Sequence, residues 1–284
     1  MQDLLTWIDH TGLGNIIWAT DLDLTVLDKQ PDPSKISAPA GLEASFRSID
    51  ALTNDRFYII TGREKSYVDG LFPGSTFKLS AEYHNMVRFA PPQPHHEPNP
   101  RPQWGLIDKN IETLVQNFQG MVLRKKPFMR TIHYTHAPSL KNQAIKTQVA
   151  DALQMLLDRH EHLTGQKLEN IDGGSVFDMA PYGSSKKTAY EDILSLHKMR
   201  GEDNLVPLYF GDSPGDLPAA LVVRQNGGKF VLVGDDARMR PYADFTLQNP
   251  QECRDLFAQI AGLSPQQNRP QPAVTATPKA PGNH

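Results

Sequence analysis

The segment Asn15-Ile-Ile-Trp-Ala-Thr20, followed by Asp21-Leu-Asp-Leu-Thr25, decides the fold prediction. Its first six residues form an apolar run that ends at polar residues, which is typical of a buried β-strand. Asp21 and Asp23 lie two residues apart, so on an extended chain both carboxylates project to the same side. Because ligands of open α/β sheets bind at the carboxyl ends of the strands, this segment predicts a functional site directly after the strand.

Three further apolar runs have the same character, and amphipathic stretches separate them. The runs cover residues 56–60, 206–210 and 229–233. Helical patterns are found around residues 41–53, 63–71, 185–198 and 216–224. Strands that alternate with helices favour a parallel sheet covered by helices on both faces. These segments therefore predict an α/β domain with a Rossmann-like parallel sheet.

The middle of the chain has a different pattern, in which two stripes of apolar residues at helical spacing alternate with pairs of strand-like stretches. The helices are expected around residues 107–118 and 145–156, and the first two strands at 121–126 and 129–135. The last two strands meet at Asp172-Gly173, a hairpin turn signal. The order helix-strand-strand-helix-strand-strand predicts a compact α+β unit inserted into the α/β domain.

Prolines mark a connector and a tail. Six of the twelve residues from Pro91 to Pro102 are proline, which excludes helix and central strand and is typical of a stiff connector. Residues 264–284 hold five prolines and few large apolar residues, so we expect them to be disordered. The predicted division is 1–103 and 182–263 for the α/β domain, 104–181 for the inserted unit and 264–284 for the tail.

Composition and charge exclude several classes of protein. The chain has 284 residues, 39% of them hydrophobic, which is enough for a sizeable core. It has 29 Lys and Arg against 32 Asp and Glu, so its net charge of −3 gives no overall attraction to nucleic acid or to an anionic membrane. A single cysteine, Cys253, excludes an internal disulfide and a multi-cysteine metal site.

The sequence shows neither a signal-peptide pattern at residues 1–3 nor an apolar run of membrane-spanning length. We therefore expect a cytoplasmic protein that does not act on membranes. The oligomeric state is not indicated by any of these patterns.

Two other strand ends carry polar groups suited to phosphate chemistry. Thr61-Gly62-Arg63 follows the second strand and offers a hydroxyl, free backbone N–H groups and a guanidinium. Asp212 and Asp216 follow the strand at 206–210 and offer two more carboxylates. If the sheet is parallel, these groups and the aspartates after the first strand meet at one edge.

Lys186 and Lys187 occupy the first turn of a helix that Ser184-Ser185 predicts. Because a helix N-terminus carries partial positive charge, a cation there costs about 0.3–1 kcal/mol. Two interpretations are open: both lysines are solvated, or the helix end and a lysine bind an anion together. The polar groups at the strand ends favour the anion site.

These residues resemble the four motifs of the haloacid dehalogenase superfamily of phosphohydrolases, and the inserted unit resembles that superfamily's type IIB (C2B) cap domain. Within this class the sequence is most similar to trehalose-6-phosphate phosphatases. The segments that carry this resemblance are Ile60-Thr-Gly-Arg63, Ala81-Glu-Tyr-His84, Lys126 with His133-Tyr-Thr-His-Ala-Pro138, and Val176-Phe-Asp-Met-Ala-Pro181 followed by Ser185-Lys186.

The resemblance implies a role for each motif residue. Asp21 is the implied nucleophile that forms an aspartyl-phosphate, and Asp23 the implied acid and base. Thr61 and Lys186 hold the phosphate oxygens in this scheme. The implied cofactor is Mg²⁺, bound by Asp21, the backbone carbonyl of Asp23 and Asp212, with Asp216 in support. The implied substrate-binding residues are Gly62, Arg63, Glu82, Lys126, His133 and Asp178.

The implied activity is hydrolysis of a small-molecule sugar phosphate, with trehalose 6-phosphate as the first expectation. The trehalose-phosphatase pattern has Glu, Arg, Glu, Gly and an acidic residue at five positions where this chain has others. The departures are Arg124, Thr135, Asp178, Lys187 and Leu217. Since sites that bind sugar hydroxyls discriminate by roughly 10⁴-fold, these changes leave another substrate open, such as a sucrose-phosphate or a glycosyl-phosphoglycerate. A phosphomutase and a catalytically weak binding or regulatory protein are the further alternatives.

Two other features are interpreted as unrelated to this chemistry. Gly234-Asp235-Asp236 also follows an apolar strand, but it lacks a second aspartate four residues on, so we interpret it as an ordinary loop. His160 and His162 lie two apart on a helix and therefore on different faces, which does not suit joint metal binding. Both histidines are predicted to lie on the surface.

Overall fold

Two β-sheets organise the part of the chain that this computed structural model describes, residues 1–29, 37–90, 94–172 and 176–262. The larger sheet has seven strands and the smaller has four. The predicted disordered tail, 264–284, and Gly173 of the predicted hairpin turn lie outside the described residues.

The elements alternate as the sequence predicted. The strands are β1 Ile16–Thr20, β2 Phe57–Ile60, β3 Lys78–Ala81, β4 Met86–Arg88, β5 Val122–Lys125, β6 Arg130–His133, β7 Leu168–Asp172, β8 Val176–Pro181, β9 Val206–Gly211, β10 Lys229–Val233 and β11 Phe245–Leu247. The helices are α1 Gln2–Thr11, α2 Leu42–Leu52, α3 Lys65–Leu71, α4 Asp108–Gln116, α5 Gln143–Thr164, α6 Lys186–Met199, α7 Leu217–Gln225 and α8 Pro250–Ile260.

The seven-stranded sheet has the order β11-β10-β9-β1-β2-β3-β4, and only β4 runs antiparallel to its neighbour. All five residues of β1 are buried, because helices cover both faces. On one face Trp18 stacks on Phe210 at 4.9 Å between ring centroids and meets the edge of Phe257 at 5.2 Å. On the other face Ile17 and Ala19 pack with α6 and α7. The predicted doubly covered parallel sheet is confirmed.

The inserted unit forms the antiparallel sheet β5-β6-β8-β7, with α4 and α5 on one face. Ile132 and Phe177 pack on that face with Val149 and Leu153 of α5. This arrangement confirms the predicted α+β cap. Its other face is directed toward the α/β domain, since Asp178 of β8 accepts a hydrogen bond from Tyr83, which follows β3.

The prediction for His160 was wrong, whereas His162 is exposed as expected. His160 has no exposed surface, and its Nδ1 lies 3.2 Å from the carbonyl oxygen of Gln166. His160 lies on a helix as expected, but the buried stripe of α5 runs through Val149, Leu153 and Leu157 and reaches His160 one turn later. A histidine at this position packs in the cap rather than facing solvent.

Among the described residues, no helix combines the length and the apolar character that crossing a membrane requires.

Gly120, in the turn between α4 and β5, tests the packing of the cap. Its φ is +87°, and a Cβ there would lie 1.9 Å from the backbone oxygen of His136. Gly120→Ala should therefore lower the free energy of unfolding by about 3 kcal/mol or more, measured by urea denaturation. The matched control is Gly70→Ala in α3, where a Cβ has open space and should stabilise by about 0.5–1 kcal/mol. Equal effects of the two substitutions would contradict this account.

Candidate active site

The carboxyl ends of β1, β2 and β9 place the predicted motifs side by side. In register, Thr20 pairs with Ile59 of β2 and with Phe210 of β9. The N–H of Asp21 continues this ladder and donates to the carbonyl oxygen of Phe210 at 3.0 Å. Asp21, Thr61 and Asp212 therefore leave the sheet at the same edge, as parallel strands require.

Lys186 reaches this edge from the first turn of α6. Its Nζ lies 3.0 Å from Asp21 Oδ1 and 2.6 Å from Asp216 Oδ1, and the side chain is only 5% exposed. Burial would lower the pKa of Lys186, but the two carboxylates raise it above the ordinary value, so the ammonium stays charged. Lys187, by contrast, is exposed and pairs with Glu191. Only one of the two lysines is a solvated surface residue.

Asp216 anchors the loop after β9. Its Oδ1 accepts from Lys186 and Tyr209, and its Oδ2 accepts from the backbone N–H groups of Asp212 at 3.0 Å and Ser213 at 3.1 Å. Burial would raise the pKa of Asp216, but Lys186 and these hydrogen bonds hold it below the ordinary value. Because both oxygens are engaged, the side chain positions Lys186 and the loop. Gly211 permits this approach, since a Cβ there would lie 2.5 Å from Asp216 Cγ.

The donor set fits a divalent cation. Asp21, Asp212 and Asp216 each offer a carboxylate oxygen, and these three atoms lie within 4.8 Å of one another. Burial and the neighbouring carboxylates raise the pKa of Asp212. Three carboxylates beside one ammonium leave two negative charges to be balanced, and oxygen ligands suit a hard ion such as Mg²⁺. Asp21 and Asp212 could bind the ion directly, with Asp216 holding the loop.

The carboxylate of Asp23 is not part of the cluster of Asp21, Asp212 and Asp216 found among the described residues. Both of its oxygens bind Arg63, Oδ2 to Nε at 2.6 Å and Oδ1 to Nη2 at 2.7 Å. The guanidinium of Arg63 in turn lies over the ring of Tyr67, 4.5 Å from its centroid. Asp23 is a third exposed. Its carboxylate is therefore a candidate for contact with a leaving group rather than for metal binding.

A strained turn after β3 brings the cap to the site. Glu82, Tyr83 and His84 have φ values of +48°, +52° and +77°, a left-handed conformation that costs roughly 1–2 kcal/mol per residue for side chains other than glycine. The turn directs Tyr83 to Asp178 of the cap, with 3.1 Å between Tyr83 Oη and Asp178 Oδ2. It also directs Glu82 Oε2 to the N–H of Phe128 at 3.0 Å.

Lys126 makes a third contact between the cap and the core, since its Nζ donates to the carbonyl oxygen of Gly62 at 3.0 Å. Thr61 lies at the same place and accepts from the N–H of Arg63 through Oγ1 at 3.1 Å. The structure thus brings the predicted Gly62, Glu82, Lys126 and Asp178 to the junction of cap and core.

Sequence reasoning missed the partners that hold these side chains. Tyr83 and Thr131 occupy the two oxygens of Asp178, and Tyr209 binds Asp216. Tyr83 lies inside a segment that the sequence had singled out, so its position was a usable signal. Thr131 and Tyr209 carried no such signal, because an alternating strand does not reveal which residue faces a carboxylate.

The loop Gly234-Asp235-Asp236 lines a cleft of about 400 Å³ together with Leu24 and Asp212. Its carboxylates are not part of the cluster found among the described residues. Asp236 instead binds Arg238. This arrangement agrees with the interpretation of the segment as an ordinary loop.

Glu82 allows a test of the electrostatics at the junction. It has no exposed surface, its Oε1 has no hydrogen-bond partner among the described residues, and burial raises its pKa from 4.5 to about 7. Between these pH values the folded chain holds a proton that the unfolded chain has lost, so stability falls as the pH rises. The free energy of unfolding of the wild type should therefore fall by on the order of 3 kcal/mol as the pH rises through these values because of Glu82. In Glu82→Gln this contribution should be absent.

The measurement is urea unfolding of the wild type and of Glu82→Gln at pH 4.5 and pH 8, in the presence of a chelator. All other carboxylates contribute equally to the two proteins, so the difference between them reports on Glu82. The same change in unfolding free energy for the two proteins would contradict the assignment to Glu82.

No family model matches the chain. A probable trehalose-phosphate phosphatase from Sinorhizobium fredii is 22% identical over 233 residues, which are 82% of this chain and 83% of that protein. Among solved structures, the C-terminal domain of the C. albicans trehalose-6-phosphate phosphatase has a TM-score of 0.74 at 17% identity, covering 93% of this chain and 97% of that one.

A haloacid dehalogenase-like hydrolase from Bacteroides thetaiotaomicron has a TM-score of 0.52 at 12% identity, covering 86% of this chain and 98% of that one. These similarities extend over both the α/β domain and the cap. The resemblance found in the sequence is thus confirmed at the level of the fold, and the chain has the fold of the haloacid dehalogenase-like hydrolases with an inserted α+β cap.

Proposed function

We propose that this protein is a Mg²⁺-dependent phosphatase of a phosphorylated sugar and that Asp21 is its nucleophile. The observation that carries the proposal is the buried contact of Lys186 with Asp21 and Asp216, beside the third carboxylate of Asp212. The names of the similar proteins support the same class of reaction.

The chain's own residues supply the steps of this reaction. A carboxylate oxygen of Asp21 attacks phosphorus, the bond from phosphorus to the sugar oxygen breaks, and Asp23 gives that oxygen its proton. Water then attacks the aspartyl-phosphate, Asp23 accepts the proton of the water, and phosphate leaves Asp21. Lys186 and Thr61 hold the phosphate oxygens during both steps. Bound Mg²⁺, held by Asp21 and Asp212, would offset the negative charge between phosphate and nucleophile.

The ion pair of Asp23 and Arg63 is consistent with a role of Asp23 in proton transfer. Arg63 binds both oxygens of the Asp23 carboxylate. It follows Gly62, which Lys126 of the cap contacts, so the pair lies near the junction where the sugar would bind. For proton transfer Asp23 must turn at least one oxygen from Arg63 to the substrate. We propose that Arg63 moves to a sugar oxygen at that moment.

A protein that only binds would not need this cluster. Burying three carboxylates and an ammonium costs several kcal/mol for each ion unless partners compensate. The cluster is nevertheless complete, and Asp216 has every partner that its two oxygens need. This argues against the catalytically weak alternative.

The experiment that tests the class is release of inorganic phosphate from a panel of sugar phosphates, with Mg²⁺ and with a chelator. Trehalose 6-phosphate heads the panel because similar proteins are named for it. Glucose 6-phosphate, sucrose 6-phosphate and p-nitrophenyl phosphate complete the set. Release that requires Mg²⁺ is expected, and no release from any member would overturn the proposal.

Asp21→Asn should abolish turnover, with kcat reduced by at least about 10³-fold, because the neutral amide is not a nucleophile that can form the aspartyl-phosphate. The substitution is nearly isosteric, so circular dichroism and unfolding in urea should show a folded protein. Turnover at the wild-type rate would mean that another residue is the nucleophile.

Lys186→Met and Lys187→Met form a matched pair in one helical turn. Loss of the buried ammonium should lower kcat by about 10²–10³-fold, as loss of one stabilising donor does in other enzymes. Lys187 is exposed and pairs with Glu191 on the surface of the same helix, so its loss should change kcat less than twofold. Similar losses in both variants would point to a general effect of charge at the helix end.

A further inference from the structure

The face of the cap sheet that is directed toward the site carries the guanidinium of Arg124, which forms no ion pair with any described residue. Arg124 of β5 is opposite Thr131 of β6, and Thr131 is opposite Asp178 of β8. Residues directly opposite in antiparallel strands project to the same face. Since Asp178 contacts Tyr83 of the core, Arg124 lies on the face that is directed toward the core.

The neighbouring cation on the other face of β5 is fully paired. Lys125 Nζ lies 2.6 Å from Glu112 Oε1 and 3.5 Å from Asp108 Oδ2. Arg124 is exposed and makes no ion pair with any residue in the described ranges. Lys126, one residue past the strand, donates to the carbonyl oxygen of Gly62. Within the described ranges, neither Arg124 nor Lys126 forms an ion pair with a carboxylate, although the charge of Lys126 partly offsets the rise in the pKa of Glu82.

Two carboxylates of the junction, Asp178 and Asp23, are already engaged through both of their oxygens. The two oxygens of Asp178 accept from Thr131 and Tyr83, and those of Asp23 bind Arg63. Glu82 accepts from the N–H of Phe128 through Oε2, and its Oε1, which has no hydrogen-bond partner among the described residues, is buried with the rest of the side chain. Each hydroxyl group of a neutral sugar can donate a hydrogen bond as well as accept one. Among the described residues, the core-facing side of the cap sheet has few free acceptors for such donors.

The electrostatics agree with a concentration of positive charge here. Burial lowers the pKa of His133 on β6, Asp178 opposes that effect, and Lys126 and Arg124 add to it. Both cations are therefore close enough to act on the imidazole of His133, which is half-buried at the junction.

We infer that the sugar-bearing part of the substrate carries a second anionic group, a carboxylate or a phosphate, which Arg124 binds together with Lys126. This inference rests on the proposed function and narrows its substrate class. Arg suits the role because its planar guanidinium binds either group through two parallel hydrogen bonds. The second anion lies on the leaving group and takes no part in the transfer of the first phosphoryl group.

The test compares kcat/KM within matched pairs of substrates that differ in the second anion. Glucosyl-3-phosphoglycerate is set against trehalose 6-phosphate, 6-phosphogluconate against glucose 6-phosphate, and fructose 1,6-bisphosphate against fructose 6-phosphate. The anionic member of at least one pair should be preferred by about tenfold or more, as hydrogen bonds to a charged group imply. The second pair reports a carboxylate site and the third a phosphate site.

Variants separate this site from the catalytic machinery. Arg124→Gln should remove most of the preference for the substrate with the second anion, because the KM for that substrate rises. The kcat for p-nitrophenyl phosphate, which lacks a second anion, should stay unchanged. Lys125→Gln is the matched control and should keep the preference, because that lysine lies on the other face. Preference of the wild type for the neutral members, or equal effects of the two variants, would overturn the inference while leaving a phosphatase. No turnover of any substrate, p-nitrophenyl phosphate included, would overturn both proposals.

Discussion

One buried ammonium group, that of Lys186, holds the candidate active site together. The carboxylates of Asp21 and Asp216, exposed by 8% and 0%, share it at 3.0 Å and 2.6 Å. Without this cation, one of the two acids would have to take up a proton or leave the interior. Asp216 extends the constraint, since its second oxygen fixes the backbone of Asp212 and Ser213. The geometry of the loop after β9 therefore depends on a residue from the start of α6.

The two sheets supply the precision that this contact needs. β1 lies at the centre of the parallel sheet with both faces buried, so close packing on both sides sets the position of Asp21 at its end. The cap approaches from the side of β3, where three consecutive left-handed residues turn the chain. Such strain persists only where the surroundings over-determine it, and here Asp178 and Phe128 of the cap hold the turn.

Strand ends were predictable from the sequence, and contacts between distant segments were not. The run at 229–233 coincides with β10, and the aspartates follow β1 and β9 as expected, because apolar runs and turns are local signals. The burial of His160 was missed because the spacing of the two histidines shows that they lie on different faces of α5 but not that one of these faces is buried against the cap. The bond between Tyr83 and Asp178 joins residues 95 positions apart, and it depends on how the cap docks. The pairing of Asp23 with Arg63 likewise needs the side-chain geometry at two strand ends.

The identity of the nucleophile is tested most directly by trapping the phosphorylated protein. Asp23→Asn should slow the second step, while p-nitrophenyl phosphate needs little help from an acid in the first, so the intermediate should accumulate. After acid quenching and proteolysis, mass spectrometry would locate the added phosphoryl group. The account predicts one phosphoryl group on Asp21, formed only with Mg²⁺ and missing when Asp21→Asn is added. A phosphoryl group on any other residue would contradict it.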